Sequence, residues 1–250
     1  MRTKFRQIVV VFGLCLLAGA APAEVSQQGG QQLDAAYSAL ASLIQQKQAK
    51  GEVPRLSDPA DAKVLEAWFD SVQRLGRPPY IAKDVPALIQ ALERQQAVMV
   101  PYLQLAASTP GNDVALQSEI IRSMAGLFTL FGAALPALDD FIGKLKPEEI
   151  NNSRRQGLRQ MRLGLKQMVS GAAQTLRTPG ITPDNLMKLT ESLSQNAPAI
   201  AKASTKADRA VMLALMQAAL RVLSVNAQAT MKDFVAAMSG TACEGLCKLE

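Results

Sequence analysis

The most informative feature of this 250-residue sequence is what it lacks, because it contains no histidine. Histidine is the usual general base, the partner of serine and cysteine nucleophiles, and the commonest ligand of zinc and copper. Its absence excludes the familiar Ser-His and Cys-His catalytic pairs and most zinc sites. The sequence therefore favours a protein without catalytic residues, cofactor or metal.

Other catalytic signatures are missing as well. No serine or threonine stands three residues before a lysine, the spacing of serine/lysine acylases, and no glycine-rich phosphate loop occurs. Carboxylates remain: Glu66 and Asp70 share a predicted helix face, and Asp139 and Asp140 follow an apolar helix. Two acids that converge in a cleft can hydrolyse glycosidic bonds. Solvated helix carboxylates are far commoner, and Lys63 offers Glu66 a simple salt partner.

The first 23 residues are typical of a secretory signal peptide. Arg2, Lys4 and Arg6 precede an uncharged apolar run, and Ala21-Pro22-Ala23 supplies the small residues that a signal peptidase recognises. Ala18-Gly19-Ala20 is a second candidate cleavage site. Because the apolar run is shorter than the about 20 residues of a membrane span, we expect cleavage and a periplasmic or secreted protein rather than an anchored one.

The predicted mature chain, residues 24–250, is long and apolar enough to fold. Cleavage leaves 227 residues and removes three of the 27 basic residues and none of the 21 acidic ones, so the net charge falls from +6 to +3. Apolar residues make up 48% of the sequence, which excludes disorder by composition. We predict one all-helical domain without a transmembrane segment.

Cysteine is also scarce, and only Cys243 and Cys247 survive the predicted cleavage. In an oxidising compartment two cysteines this close most simply form a local disulfide. On a regular helix their Cβ atoms lie too far apart for a bond, so the bond requires a turn, which Gly240 and Gly245 make plausible. A thiol pair for redox work or copper binding is the alternative, although redox motifs usually space their cysteines by two residues.

Hydrophobic periodicity predicts an all-α, single-domain bundle of about seven helices and no convincing strand. The clearest helix begins at Asp58-Pro59, where a capping residue precedes a proline in the first helical position. The most apolar segment, MAGLFTLFGAALPAL at residues 124–138, carries no charge and predicts the centre of the bundle. Pro198 is expected to interrupt the sixth helix, and the seventh is expected to run from about residue 204 to residue 239.

Three glycines recur inside the fifth predicted helix at intervals of seven residues. Gly157, Gly164 and Gly171 form one stripe, since residues seven apart nearly overlie one another on a helix. Each glycine costs about 1 kcal/mol relative to alanine in a helix interior. We therefore expect the stripe to be buried where a neighbouring helix approaches closely.

The same helix carries a basic stripe, which we define as Arg155, Arg159, Arg162 and Lys166. These residues lie within about 60° of one another on the side opposite the glycines. Two interpretations stay open: a solvated face paired with nearby acids, or a docking face for an acidic partner protein or anionic lipid. Nucleic acid does not fit an exported chain whose basic residues lack interleaved aromatics.

Three classes of function follow. The first is an exported, non-catalytic envelope protein that binds a partner protein, as an accessory, inhibitor or immunity-type factor does. The second is a binder of a lipid or other apolar ligand between the apolar fourth and seventh helices. The third is a carboxylate-based hydrolase of envelope glycans. The missing catalytic residues favour the first.

Overall fold

The computed structural model describes residues 27–77, 79–108, 115–240, 243 and 245–249. The predicted signal peptide and its cleavage sites lie outside these residues. The α-helices are α1 Gln27–Ala49, α2 Pro59–Leu75, α3 Val85–Ser108, α4 Gln117–Gly143, α5 Asn152–Thr175, α6 Pro183–Ala203, α7 Lys206–Leu220, α8 Val225–Thr230 and α9 Lys232–Ser239. Short 3-10 helices occur at Ala82–Asp84, Pro147–Glu149 and Gly245–Lys248. No strand occurs in the described part of the chain, so the all-α prediction is confirmed.

Capping side chains mark the starts of several helices. The Asp58 carboxylate accepts hydrogen bonds from the backbone N–H groups of Ala60 and Asp61 at the start of α2, and Pro59 occupies the first helical turn. Thr182 caps α6 in the same way, by accepting from the backbone of Asn185. These bonds satisfy N–H groups that have no partner inside the helix.

The seventh predicted helix is broken, and the sixth is longer than expected. Residues 204–239 form α7, α8 and α9, because Arg221 ends α7 and Ser224 accepts a hydrogen bond from Ala227 N–H to start α8. Conversely, Pro198 lies inside α6, which continues to Ala203. The prediction of an interruption at Pro198 was wrong, since packing of α6 along α4 and α9 outweighs the backbone hydrogen bond that proline removes.

Helix α4 lies at the centre of the packing, as its uncharged sequence predicted. It packs most extensively against α6, and also against α3 and α2. Ile121, Phe128 and Leu130 are among its fully buried side chains. They belong to a continuous apolar cluster that runs from α1 to the C-terminal 3-10 turn. The remaining helices are arranged around α4: α1 packs on α2 and α3, α5 packs on α7, and α9 packs on α6 and α7.

The length of α4 exceeds the 15-residue apolar segment seen in the sequence. It spans 27 residues, and among the described helices it is the one long and apolar enough to cross a membrane by length and composition. Within its most apolar window, 67% of the residues are buried inside the protein. That degree of burial is what a central helix of a helical bundle shows.

The contact between α4 and α6 depends on a glycine that the sequence analysis did not single out. Gly132 of α4 faces Asn196 of α6, and a Cβ atom added at Gly132 would overlap the Asn196 Oδ1 and lie 2.6 Å from its Cγ and 3.1 Å from its Cβ. The Asn196 amide donates to the Ser192 carbonyl at 2.7 Å, which holds it in this position. Rotation of the Asn196 side chain alone cannot clear the added carbon, since the Asn196 Cβ is itself too near.

We therefore expect Gly132→Ala to lower the free energy of unfolding by about 1 to 3 kcal/mol, because overpacking outweighs the gain in helix propensity. Gly143→Ala is the matched control at the end of the same helix, where an added Cβ meets no atom within 4 Å. It should be neutral or slightly stabilising. Urea denaturation of the two variants measures the difference, and equal stabilities would contradict this close approach.

Candidate functional site

The basic stripe is divided between the interior and the surface. Arg162 is only 4% exposed, and its guanidinium donates to the carbonyls of Ala203, at 3.1 Å, and Leu246, at 2.5 Å. The expectation that Arg162 lies on a docking face was therefore wrong. Helical angles alone could not show this, because the groups that bury Arg162 come from residues 41 and 84 positions further along the chain.

The other members of the basic stripe lie nearer the solvent. Lys166 forms an ion pair with Asp208 at the start of α7, with a nitrogen–oxygen distance of 2.7 Å. Burial acts to raise the pKa of Asp208, but hydrogen bonds from Lys166 and Thr205 outweigh it and hold the pKa below its usual range. Arg155 is half-buried, whereas Arg159 is exposed. Within the stripe, Lys166 thus attaches α5 to α7, Arg162 attaches it to Ala203 and the C-terminal turn, and Arg159 is exposed.

The glycine stripe is buried along its whole length. Gly157, Gly164 and Gly171 are all buried in α5, as the close approach of a neighbouring helix requires. The principal neighbour of α5 among the described helices is α7, which Lys166 meets on the side opposite the glycines. The packing of a neighbouring helix directly against the three glycines stays a prediction.

The C-terminal turn is closed by a disulfide and attached to the bundle by hydrogen bonds with Arg162 and Asp139. Cys243 and Cys247 form the predicted local disulfide, with their Cα atoms 5.6 Å apart. Arg162 holds the Leu246 carbonyl, and the Leu246 N–H donates to Asp139 Oδ1 at 2.7 Å. Gly245 has a φ of +74° and lies against the Asp139 carboxylate, so only glycine fits there without strain. Asp139 therefore positions the turn.

The candidate catalytic carboxylates are occupied by basic or backbone partners. Glu66 accepts two hydrogen bonds from Arg122, each at 2.5 Å, and these hold the pKa of Glu66 below its usual range despite partial burial. A hydrogen bond from Lys144 likewise lowers the pKa of Asp140. Asp70 is exposed. A general acid needs a raised pKa, so these environments favour structural roles.

An exposed apolar surface on α7 was not foreseen. We call it the α7 face and define it by residues that share one side of the helix: Ala207, Ala210, Val211, Ala214, Leu215, Ala218 and the adjoining Val222. Val211 is 47% exposed, Leu215 is 37% exposed and Val222 is 65% exposed. Asp208 and Arg209 lie on the buried side of the helix, and the exposed Arg221, three residues after Ala218, lies at the C-terminal end of the face. Within the apolar run AVMLALMQAAL, Met212, Met216 and Ala219 face the core and are buried.

A polar cleft of about 250 Å³ lies where α2, α3, α4 and α6 meet. Its lining includes Gln95 of α3, Arg122 of α4, and Lys188 and Glu191 of α6. Arg122 also lies over the Phe69 ring, 4.2 Å from its centroid. Gln95 is 1% exposed, and neither its Oε1 nor its Nε2 has a hydrogen-bond partner among the described residues. The separation of these residues in sequence, across four helices, left no pattern from which the cleft could be predicted.

The arrangement of the apolar helices bears on the second proposed class of function. The predicted fourth helix corresponds to α4 and packs chiefly on α6, whereas α7 packs on α5 and α9. An apolar cavity of about 20 Å³ lies between α3 and α4 near Leu92, Phe131 and Met161. This cavity is too small for an acyl chain, so lipid binding at this place would require α3 and α4 to separate.

Comparisons with known proteins add no functional assignment. A scan of protein-family models, a search of curated proteins and a search of solved structures each found no match. Within the described residues, no group of three or more His, Cys, Asp or Glu side chains is placed to hold a metal ion. The α7 face, the polar cleft and the basic stripe are therefore the features of the protein that bear on its function.

The burial of Arg162 generates a direct test of its role. We expect Arg162→Met to lower the free energy of unfolding by at least about 1.5 kcal/mol, since two buried carbonyls lose a charged donor. The matched change Arg159→Met removes an exposed guanidinium from the same helix and should stay within about 0.5 kcal/mol. Denaturant titration compares the two, and equal effects would contradict a structural role for Arg162.

The Glu66–Arg122 pair predicts a pH dependence. Because the pKa of folded Glu66 is lowered, the pair stabilises the protein above the ordinary carboxyl pKa, and the contribution is lost as the pH falls through the folded-state pKa. In Arg122→Met the pKa of Glu66 should rise towards its usual range, as a carboxyl-carbon NMR titration would show. The pKa of Asp140, which Lys144 lowers, serves as the control and should not move. An unchanged Glu66 pKa would contradict the pairing.

Proposed function

We propose that this chain is an exported, non-catalytic envelope protein that binds a partner protein through the α7 face. The observation that supports the proposal most directly is the exposure of an uncharged apolar surface on one helix of an otherwise well-packed bundle. Contiguous exposed apolar surface is uncommon on monomeric proteins and is typical of interaction sites. Export rests on the sequence of residues 1–23, with its basic start, apolar run and small residues at the end.

The side chains of the α7 face favour a protein over a membrane. Four alanines, Ala207, Ala210, Ala214 and Ala218, alternate with larger residues at helical spacing, and small side chains let a second helix approach closely. Helices that lie in membrane interfaces usually carry tryptophan, phenylalanine or leucine on their apolar side. The single tryptophan of this chain, Trp68, is buried in α2.

The charges around the α7 face indicate the chemistry of the partner. Lys206 and Arg221 are exposed at the two ends of α7. The face is thus bordered by basic residues. A complementary partner presents an apolar helix or groove flanked by carboxylates, which agrees with the acidic partner expected from the sequence.

The test introduces charge into the centre of the α7 face. Val211→Glu with Leu215→Glu should leave the far-ultraviolet circular dichroism unchanged, because both side chains are solvent-accessible. The double variant should bind the envelope protein that co-purifies with the wild-type chain at least about tenfold more weakly, because binding would bury two charges without partners. The control variant, Gln156→Glu with Gln174→Glu, adds the same charge to the exposed polar face of α5 and should bind that envelope protein as tightly as the wild type does.

Quantitative mass spectrometry of proteins co-purified from the native envelope identifies the candidate, and binding is then measured with that protein purified. Binding should weaken as salt rises, since rim charges are screened over about 8 Å at physiological ionic strength. A partner retained equally by both double variants would place the interface elsewhere. Concentration-dependent dimers of the wild type, or binding to anionic vesicles that the α7 variant abolishes, would replace the proposed partner with a second copy or a lipid surface.

A further inference from the structure

An acceptor motif for N-linked glycans lies in the segment that leads into α5. Asn151-Asn152-Ser153 fits the pattern of an asparagine, any residue but proline, and then serine or threonine. Bacterial enzymes that transfer such glycans also select an acidic side chain two residues before the asparagine, and Glu149 occupies that position. None of the other five asparagines of the chain has serine or threonine two residues after it.

The motif is accessible on the surface of the folded protein. Glu149, Asn151, Asn152 and Ser153 are all exposed, where the 3-10 helix Pro147–Glu149 connects to α5. Asn152 and Ser153 form the first turn of α5, whose backbone N–H groups have no acceptor inside the helix. Because helix ends fray at little cost, a transferring enzyme can draw this segment into its active site without unfolding the bundle.

The side chain of Asn151 uses its oxygen in the fold and leaves its nitrogen available. The Asn151 Oδ1 accepts a hydrogen bond from the backbone N–H of Arg154 at 3.0 Å and so caps α5. A backbone N–H can only donate, so the atom that it meets is the oxygen. The Asn151 Nδ2 has no acceptor among the described residues. Since an N-linked glycan is attached to Nδ2 and leaves the amide oxygen in place, the cap and the glycan are compatible.

We propose that Asn151 is glycosylated on Nδ2 after export, by transfer of an oligosaccharide from a lipid-linked pyrophosphate donor. The bond between the anomeric carbon of the oligosaccharide and the pyrophosphate oxygen breaks, and a bond between that carbon and Nδ2 forms. Nδ2 gives up one of its two protons and the lipid pyrophosphate leaves, so the step needs neither an oxidant nor a reductant. The modification rests on export, which is part of the proposed function, and not on binding through the α7 face.

The experiment is mass spectrometry of the full chain purified from its native envelope. Trypsin should release a peptide of residues 145–154, because Lys146 precedes a proline and is not cleaved. In the wild type this peptide should carry a glycan that fragmentation places on Asn151 rather than Asn152. Ser153→Ala should lose the glycopeptide and keep the circular dichroism of the wild type, because Ser153 is exposed and the Asn151 cap stays intact.

Ser153→Thr is the matched control, since threonine also completes the motif, and it should keep the glycopeptide. The N-terminal residue of the same purified chain, expected at position 21 or 24, reports export separately. A cleaved chain whose residues 145–154 are unmodified would overturn the glycosylation and leave the proposed function standing. A glycan that persists in Ser153→Ala, or that lies on a residue other than Asn151, would also overturn it. Absence of the chain from the envelope would overturn both.

Discussion

The burial of α4 is the constraint on which the rest of this structure depends. A 27-residue helix with an uncharged apolar centre cannot be left in water, so several neighbours must cover it. Helix α6 provides the largest part of that cover, and the two helices approach so closely at Gly132 that Asn196 occupies the space of a side chain. The position of α6 in turn determines where α9 and the C-terminal turn pack. The polar cleft forms beside the same pair of helices, where Gly126 of α4 and Ser192 of α6 both contribute to its lining.

Buried polar groups then organise the C-terminal half around this apolar centre. Arg162 joins α5 to the carbonyl at the end of α6 and to the C-terminal turn, while Asp139 of α4 accepts the backbone N–H of Leu246 in that turn. One cation and one carboxylate thus hold a short disulfide-closed segment that has little apolar surface of its own. Such charged hydrogen bonds are stronger than neutral ones when their geometry is complete. A basic residue of the stripe therefore acts as an internal connector between distant parts of the chain.

This use of charge inside the protein changes where interaction surfaces are to be sought. The basic residues that stood out in the sequence are largely committed to Asp208 or to backbone carbonyls, whereas the α7 face is apolar and uncovered. In the proposed complex, small apolar side chains form the centre of the contact, and the exposed Lys206 and Arg221 would face acidic groups of the partner. The Gln95 amide is a different case, because its burial without a partner is unfavourable for the isolated protein.

Much of the fold was determined by local patterns in the sequence, because helix periodicity and capping depend on residues a few positions apart. The Asp58-Pro59 start of α2, the apolar centre of α4 and the Cys243–Cys247 pair all belong to this class. Tertiary structure decided which faces met: it buried Arg162, carried α6 past Pro198 and left one side of α7 in solvent. It also assembled the cleft around Gln95 from four helices. These outcomes depend on contacts between residues far apart in the chain, and such contacts leave no periodic signal in a single sequence.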